Sequence, residues 1–202
     1  MIKSGKEHLE QINDGRTIFV GDEEIKNVTT HPAFKRAAAT VAQLYDLKHQ
    51  SEFKDDLSYE ENGERYSTWF IQAKNKDDLR KRSKAHKIIA DHTSGMMGRS
   101  MDHVASFVTG MSTSPEIFDN NNYKFSDNLI NYYKYMKKND VFASYAVVPP
   151  QAARNPEFYE KRNLPIPTLT VVDETDKGVI ISGMKMLATS AVFANEIWIG
   201  NL

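Results

Sequence analysis

The stretch Lys76–Met111, "KDDLRKRSKAHKIIADHTSGMMGRSMDHVASFVTGM", decides how this chain is read. Asp77 and Asp78 open it and basic residues follow, an order that suits the positive N-terminal end of a helix dipole. Its pattern predicts the strongest helical region of the chain. Gly95 and Gly98 fall in the middle, where each costs up to about 1 kcal/mol relative to alanine. That cost points to close packing, a kink or a nearby ligand. Within the stretch, "GMMGRSMDH", Gly95–His103, sets an arginine, an aspartate and a histidine beside apolar residues. On a helix Arg99 and His103 share one face, four residues apart, and Asp102 points elsewhere. Arg99 is a permanent cation suited to forked bonds with carboxylate or phenolate. The alternative is an ordinary charged face, with Arg99 and Asp102 as a surface ion pair and His103 solvated. On the residues alone both readings stay open.

Upstream, "SGKEHLEQIN" has Ser4 at an N-cap and Glu7 three residues on, which is capping-box spacing, so a short amphipathic helix is expected. The runs Thr17–Val20 and Ile25–Val28 flank the turn-forming pair Gly21-Asp22 and predict a small β-hairpin. Phe34, Ala37, Ala38, Val41 and Leu44 recur at helical steps and predict a helix over Ala33–His49. The segment from Ser51 to Gln72 is polar and turn-rich, with Tyr66, Trp69, Phe70 and Ile71 as anchors. Downstream, a helix is expected over Ser126–Lys138. Beyond it the chain turns rich in Val, Ile and Thr and reads as several antiparallel strands, with turns at Asp176–Gly178 and near Asn195. The expected class is α+β: a mainly helical unit over 1–139 and a β unit over 140–202. The closing "EIWIGNL" is strand-like with an apparent unpaired edge, so the chain reads as the front part of something longer.

Composition narrows the function. Lys and Arg total 26 against 27 Asp and Glu, a formal net charge of -1, so no bulk electrostatic attraction to nucleic acid or anionic membrane is expected. The N-terminal residues lack the apolar core of a secretory signal, and nowhere do about 18 uninterrupted apolar residues occur. A soluble cytoplasmic protein is expected. The chain has no cysteine, which excludes within it disulfides, thiolate-held clusters and a cysteine nucleophile. His86 and His92, six apart, cannot share a helical face as metal ligands, and no metal site is expected. "DHTSG" lacks the frame of a nucleophile elbow. In "VVPPQAARN", Pro149 and Pro150 remove two amide donors and leave carbonyls and Gln151 exposed, either to line a ligand or as a plain turn. "KMLATSA" ends a strand with two hydroxyls in the same ambiguous way.

Five stretches in order carry a resemblance: "SGKEHLEQINDGRTIFVGDEEIKNVTTHPAF", "RKRSKAHKIIADHTSGMMGRSMDHVASF", "YYKYMKKND", "VVPPQ" and "VVDETDKGVIISGMKMLATSAVFANEIWIG". Together they resemble the oxygenase components of two-component, flavin-dependent aromatic hydroxylases of the 4-hydroxyphenylacetate 3-monooxygenase type. The resemblance implies a helical N-terminal domain, the first strands of an antiparallel β-barrel, and a C-terminal four-helix bundle, like that of acyl-CoA dehydrogenases, that is absent here. It implies FAD, used as FADH2, from a separate flavin reductase, with O2 and a phenol as substrates, and a homo-oligomer. In the family motif "GRSxDY" the arginine, here Arg99, binds the phenol, aided by a tyrosine and by a histidine that opens the middle domain. Those two positions are His103 and Tyr145 here, so both partners depart from the pattern and are exchanged. Gln151, Arg154 and Thr189 fall where the family contacts flavin, and Pro149 replaces the family's asparagine. A sister branch, 4-hydroxybutyryl-CoA dehydratase, needs a cysteine-held iron-sulfur cluster, and the lack of cysteine argues against it. The resemblance implies ortho-hydroxylation of a phenol such as 4-hydroxyphenylacetate; the alternatives are a truncated, catalytically silent folding or oligomerisation module, and a relative acting on a different phenol, such as a chlorinated one.

Overall fold

The computed structural model describes residues 1–200. Helix α1 (Gly5–Gln11) begins at the expected capping box, in which the Ser4 hydroxyl accepts from the Glu7 amide and the Glu7 carboxylate accepts from the Ser4 amide. Strands β1 (Ile18–Val20) and β2 (Glu23–Ile25) form a hairpin at the expected Gly21-Asp22 turn, but the second strand follows the turn directly rather than running over Ile25–Val28, and Val28 is buried beyond it. Helix α2 (Lys35–Leu47) buries Ala38, Val41 and Leu44 of the face drawn by the sequence period, together with Tyr45, while Ala37 is exposed.

The polar segment after it holds more order than its composition suggests. Helix α3 (Lys54–Leu57) leads into strands β3 (Ser58–Glu61) and β4 (Glu64–Ser67), which pair antiparallel around Asn62-Gly63. Both turn residues have positive φ, 54° and 78°, the backbone that the Asn-Gly pair favours. A single 3-10 turn then drives Trp69 and Phe70 into the core, where they are 1% and 0% exposed.

Helix α4 (Lys76–His92) is capped by Asn75, whose side chain accepts from the amides of Asp77 and Asp78. It does not run through the glycines. Ser94 and Gly95 take positive φ, the Gly95 amide donates to Ala90 O at 2.8 Å and the Ser94 amide to Asp91 O at 3.2 Å, a Schellman end. The expected long helix is therefore two, and α5 (Asp102–Met111) starts only after the loop 93–101. Helix α6 (Phe125–Asn139) ends at Asp140, itself left-handed with φ 48°.

The expected run of antiparallel strands is corrected in one pair. Strand β5 (Ala143–Ala146) lies parallel to β8 (Glu196–Ile199), with Tyr145 opposite Trp198. The crossover that a parallel pair requires is supplied by residues 147–195, which include helix α7 (Pro156–Glu160) and the antiparallel hairpin of β6 (Thr170–Thr175) and β7 (Gly178–Ser182). The closing strand is thus paired along one edge. Among the described residues the strands form four two-stranded sheets and no closed barrel. The β6–β7 hairpin is exposed along its whole length.

One main core joins α2, α4, α5, α6 and β5 around Tyr45, Trp69, Phe70, Val104, Val108, Met136 and Phe142. Each such large apolar side chain contributes about 1.5–3 kcal/mol on burial. The turn from α6 to β5 is itself a packed hub: Asp140 is 1% exposed and pairs with Lys48, 0% exposed, while its Oδ1 accepts from Ser67 at 2.6 Å. Among the described residues no helix is long and apolar enough to cross a membrane.

Candidate functional site

The core face of α5 is set by Val104, Ala105 and Val108, all buried. His103 and Phe107, one helical turn apart, lie on another face and meet the β5–β8 pair. The Phe107 ring centroid is 5.8 Å from His103, 5.4 Å from Tyr145 and 5.6 Å from Trp198, and His103 is 6.4 Å from Tyr145. The parallel register brings Tyr145 and Trp198 side by side, and Gly200 leaves room for the tyrosine: a Cβ on Gly200 would lie 2.8 Å from Tyr145 Oη.

Arg99 stands at the edge of this aromatic wall. It is exposed, on the loop rather than on α5, so the expected shared helical face is not what joins it to His103. Proximity does: burial, then the Arg99 charge, hold the His103 ring below its ordinary pKa, against a smaller opposite effect of Asp102. The surface pair of Arg99 with Asp102 does not form. Asp102 instead accepts from His86 Nδ1 on α4 and from Ser100 Oγ. Among the described residues Arg99 has no hydrogen-bond or ion-pair partner. His103 and Tyr145 thus share one aromatic cluster, and Arg99 stands on the loop that leads into α5, near enough for its charge to act on His103.

The other three named residues divide. An isolated antiparallel bridge joins Val148 to Met186, so the two segments run in opposite directions from it. Thr189 runs back toward the wall, its carbonyl accepting from Ser144 Oγ at 2.7 Å, next to Tyr145. Gln151 and Arg154 lie on the 3-10 turn Gln151–Arg154 beyond the bridge. All three are exposed, and among the described residues none commits its side-chain donors to another residue.

Phe107 and Trp198 were not singled out by sequence. Phe107 could have been found, since it follows His103 by four residues on a helix. Trp198 could not, because its place depends on a parallel pairing across the crossover. His86 was weighed only as a metal ligand, and its partner Asp102 is found only in three dimensions.

Comparison with known proteins identifies the family. Residues 4–202 match the family model described as 4-hydroxyphenylacetate 3-hydroxylase N terminal. The chain is 34% identical to the 4-hydroxyphenylacetate 3-monooxygenase oxygenase component of Thermus thermophilus, covering 98% of this chain and 40% of the relative. It is 31% identical to 2,4,6-trichlorophenol monooxygenase of Cupriavidus pinatubonensis, covering 99% and 40%. A crystal structure of an oxygenase component of 4-hydroxyphenylacetate 3-monooxygenase, complexed with FAD and 4-hydroxyphenylacetate, superposes with a TM-score of 0.87 at 34% identity, over 98% of this chain and 40% of that one. An archaeal 4-hydroxybutyryl-CoA dehydratase shares the fold, with a TM-score of 0.78 at 20% identity. The chain spans about 40% of the length of the relatives it matches. It belongs to the family of 4-hydroxyphenylacetate 3-monooxygenase oxygenase components and corresponds to their N-terminal part.

Proposed function

We propose that this chain carries the phenol-binding wall and part of the flavin contacts of an FADH2-dependent aromatic hydroxylase. The observation that supports the reading best is Arg99, a cation without a partner beside a half-buried histidine and a tyrosine. Arg99 favours the ionised phenolate by charge, and the phenolate is more electron-rich at its ortho carbon than the neutral phenol. His103, held below its ordinary pKa, is neutral near pH 7, so a ring nitrogen takes the phenol proton while the Tyr145 hydroxyl donates to the same oxygen. Phe107 and Trp198 wall the ring and exclude water. Gln151, Arg154 and Thr189 hold the flavin. When bound, reduced flavin and O2 would supply the chemistry: on a phenol with a free ortho position one oxygen atom is inserted at that C–H and the other leaves as water as the flavin is oxidised, whereas on 2,4,6-trichlorophenol, whose ortho and para carbons carry chlorine, the inserted oxygen displaces chloride. A separate reductase supplies FADH2, and the complete protein works as a homo-oligomer.

The exchange of His and Tyr at 103 and 145, together with the trichlorophenol-oxidising relative, favours a phenol other than 4-hydroxyphenylacetate. The test is anaerobic titration of the chain with reduced FAD followed by flavin fluorescence, then with 4-hydroxyphenylacetate and with trichlorophenol. Saturable flavin binding with tighter trichlorophenol supports the reading. His103→Tyr with Tyr145→His is then expected to shift preference toward 4-hydroxyphenylacetate. Absence of any flavin or phenol binding by the folded chain would leave it a silent folding module.

A further inference from the structure

Arg99 is exposed and has no hydrogen-bond or ion-pair partner among the described residues, so nothing at its own guanidinium determines where its charge sits. Its loop must do so. At the entry the Schellman end at Ser94 and Gly95 closes α4, and the Met96 amide donates to Thr93 O at 2.9 Å. At the exit Ser100 and Met101 are 2% and 1% exposed, and the His103 amide donates to Ser100 O at 3.1 Å. Between these anchors Asp102 takes a donor from each side of the loop: the His86 ring from α4 and the Ser100 hydroxyl from the loop itself. Its side chain is 17% exposed, against 37% for His86. A carboxylate so enclosed requires both donors, and both are present.

We infer that the His86–Asp102 pair is a positioning device: it clamps the first turn of α5 to α4 and thereby sets the Arg99 guanidinium beside the His103 ring. His86 and Asp102 touch neither phenol nor flavin in this arrangement, and the inference rests on the reading of the Arg99 wall given above. His86 from α4, Ser100 from the loop and Asp102 from α5 are in direct contact, and the charges of Arg99 and Asp102 both act on the His103 ring.

The test needs no ligand. NMR titration of the His103 ring in the 202-residue chain reads the proximity of the Arg99 charge directly. Arg99→Ala removes that charge and defines the value without it, nearer the ordinary histidine value of about 6.5. His86→Ala leaves Asp102 in place but removes its donor on α4, and is expected to reproduce most of the same rise. His86→Gln, whose amide can donate to Asp102, is expected to keep the wild-type value. A His86→Ala chain that keeps the wild-type His103 titration overturns the proposal, as does an equal rise in the Ala and Gln variants. If His86→Ala does not fold by circular dichroism, Ser100→Ala, which removes the other donor, carries the same expectation and the same refutation. Because neither phenol nor flavin enters the measurement, this outcome is independent of whether the proposed function holds.

Discussion

Two cations, Lys48 and Arg99, sit in opposite circumstances. Lys48 is 0% exposed and closed in: its ammonium meets Asp140, donates to Ser67 Oγ at 3.2 Å, and lies 4.1 Å from the Tyr45 ring centroid. The Lys3 amide donates to the same carboxylate at 3.2 Å, so α2, β4, the N-terminus and the end of α6 are tied at one point. Burial opposes ionisation of Asp140, but Lys48, Ser67 and the Lys3 amide outweigh it and hold the carboxyl below its ordinary pKa. Arg99 faces open space with no counterion among the described residues. A buried charge that is fully paired belongs to the frame, whereas an uncompensated one at the edge of an aromatic wall is available to a ligand.

The contrast is broken most severely at the hub. Asp140→Ala strands a buried ammonium and is expected to cost about 3–5 kcal/mol of stability in urea unfolding. Arg99→Ala in the same assay is expected to change stability by less than about 0.5 kcal/mol. Equal losses in the two variants would remove the distinction. Lys48→Met with Asp140→Asn, which removes both charges but keeps a residue tolerated at φ 48° and an acceptor for Ser67 and the Lys3 amide, should recover part of the loss.

Next in size is an acid transition beside the hub. His8 is 0% exposed, stacks on Tyr45 at 4.5 Å and donates from Nε2 to Phe193 O at 2.9 Å, while its Nδ1 has no partner. Burial, then the Lys3 charge, push its pKa down to about 3. The folded state therefore holds His8 neutral. Its contribution is fully present above the unfolded value near 6.5 and is lost as pH falls from there toward about 3, up to roughly 4 kcal/mol. His8→Gln should flatten this slope of unfolding free energy against pH, and an unchanged slope would show that another group is responsible.

At the wall the effect is on binding. Loss of one charge-assisted hydrogen bond is expected to weaken phenolate affinity of Arg99→Ala by about 1.5–3 kcal/mol, roughly ten- to hundredfold, by fluorescence titration. The smallest change sharpens the same surface: Gly200→Ala displaces the Tyr145 ring at about 1 kcal/mol. It should alter phenol affinity while leaving the hub untouched, as judged by the His8 acid slope.

Where local chemistry was sufficient, the expectations held. The Ser4 capping box, the Gly21-Asp22 hairpin, the buried face of α2 and the α6 helix each depend on residues within a turn or two of one another. The β3–β4 hairpin was legible too, in Asn62-Gly63, but was masked by its charged surroundings. The break between α4 and α5 was foreshadowed by the cost of Gly95 and Gly98. Its form, a Schellman end with a pinned loop, was not.

The sequence by itself determined the α+β class and, through motif order, the family, and it named Arg99, His103 and Tyr145 as a candidate trio. Only the tertiary structure decided what surrounds that trio. The parallel pairing of β5 with β8 carries Trp198 to Tyr145, and the clamp between His86 and Asp102 joins residues 16 apart across a loop. The physical reason is range: caps, turns and helical faces are written in neighbouring residues, whereas register across a long crossover and the partner of a buried carboxylate depend on how the whole core closes.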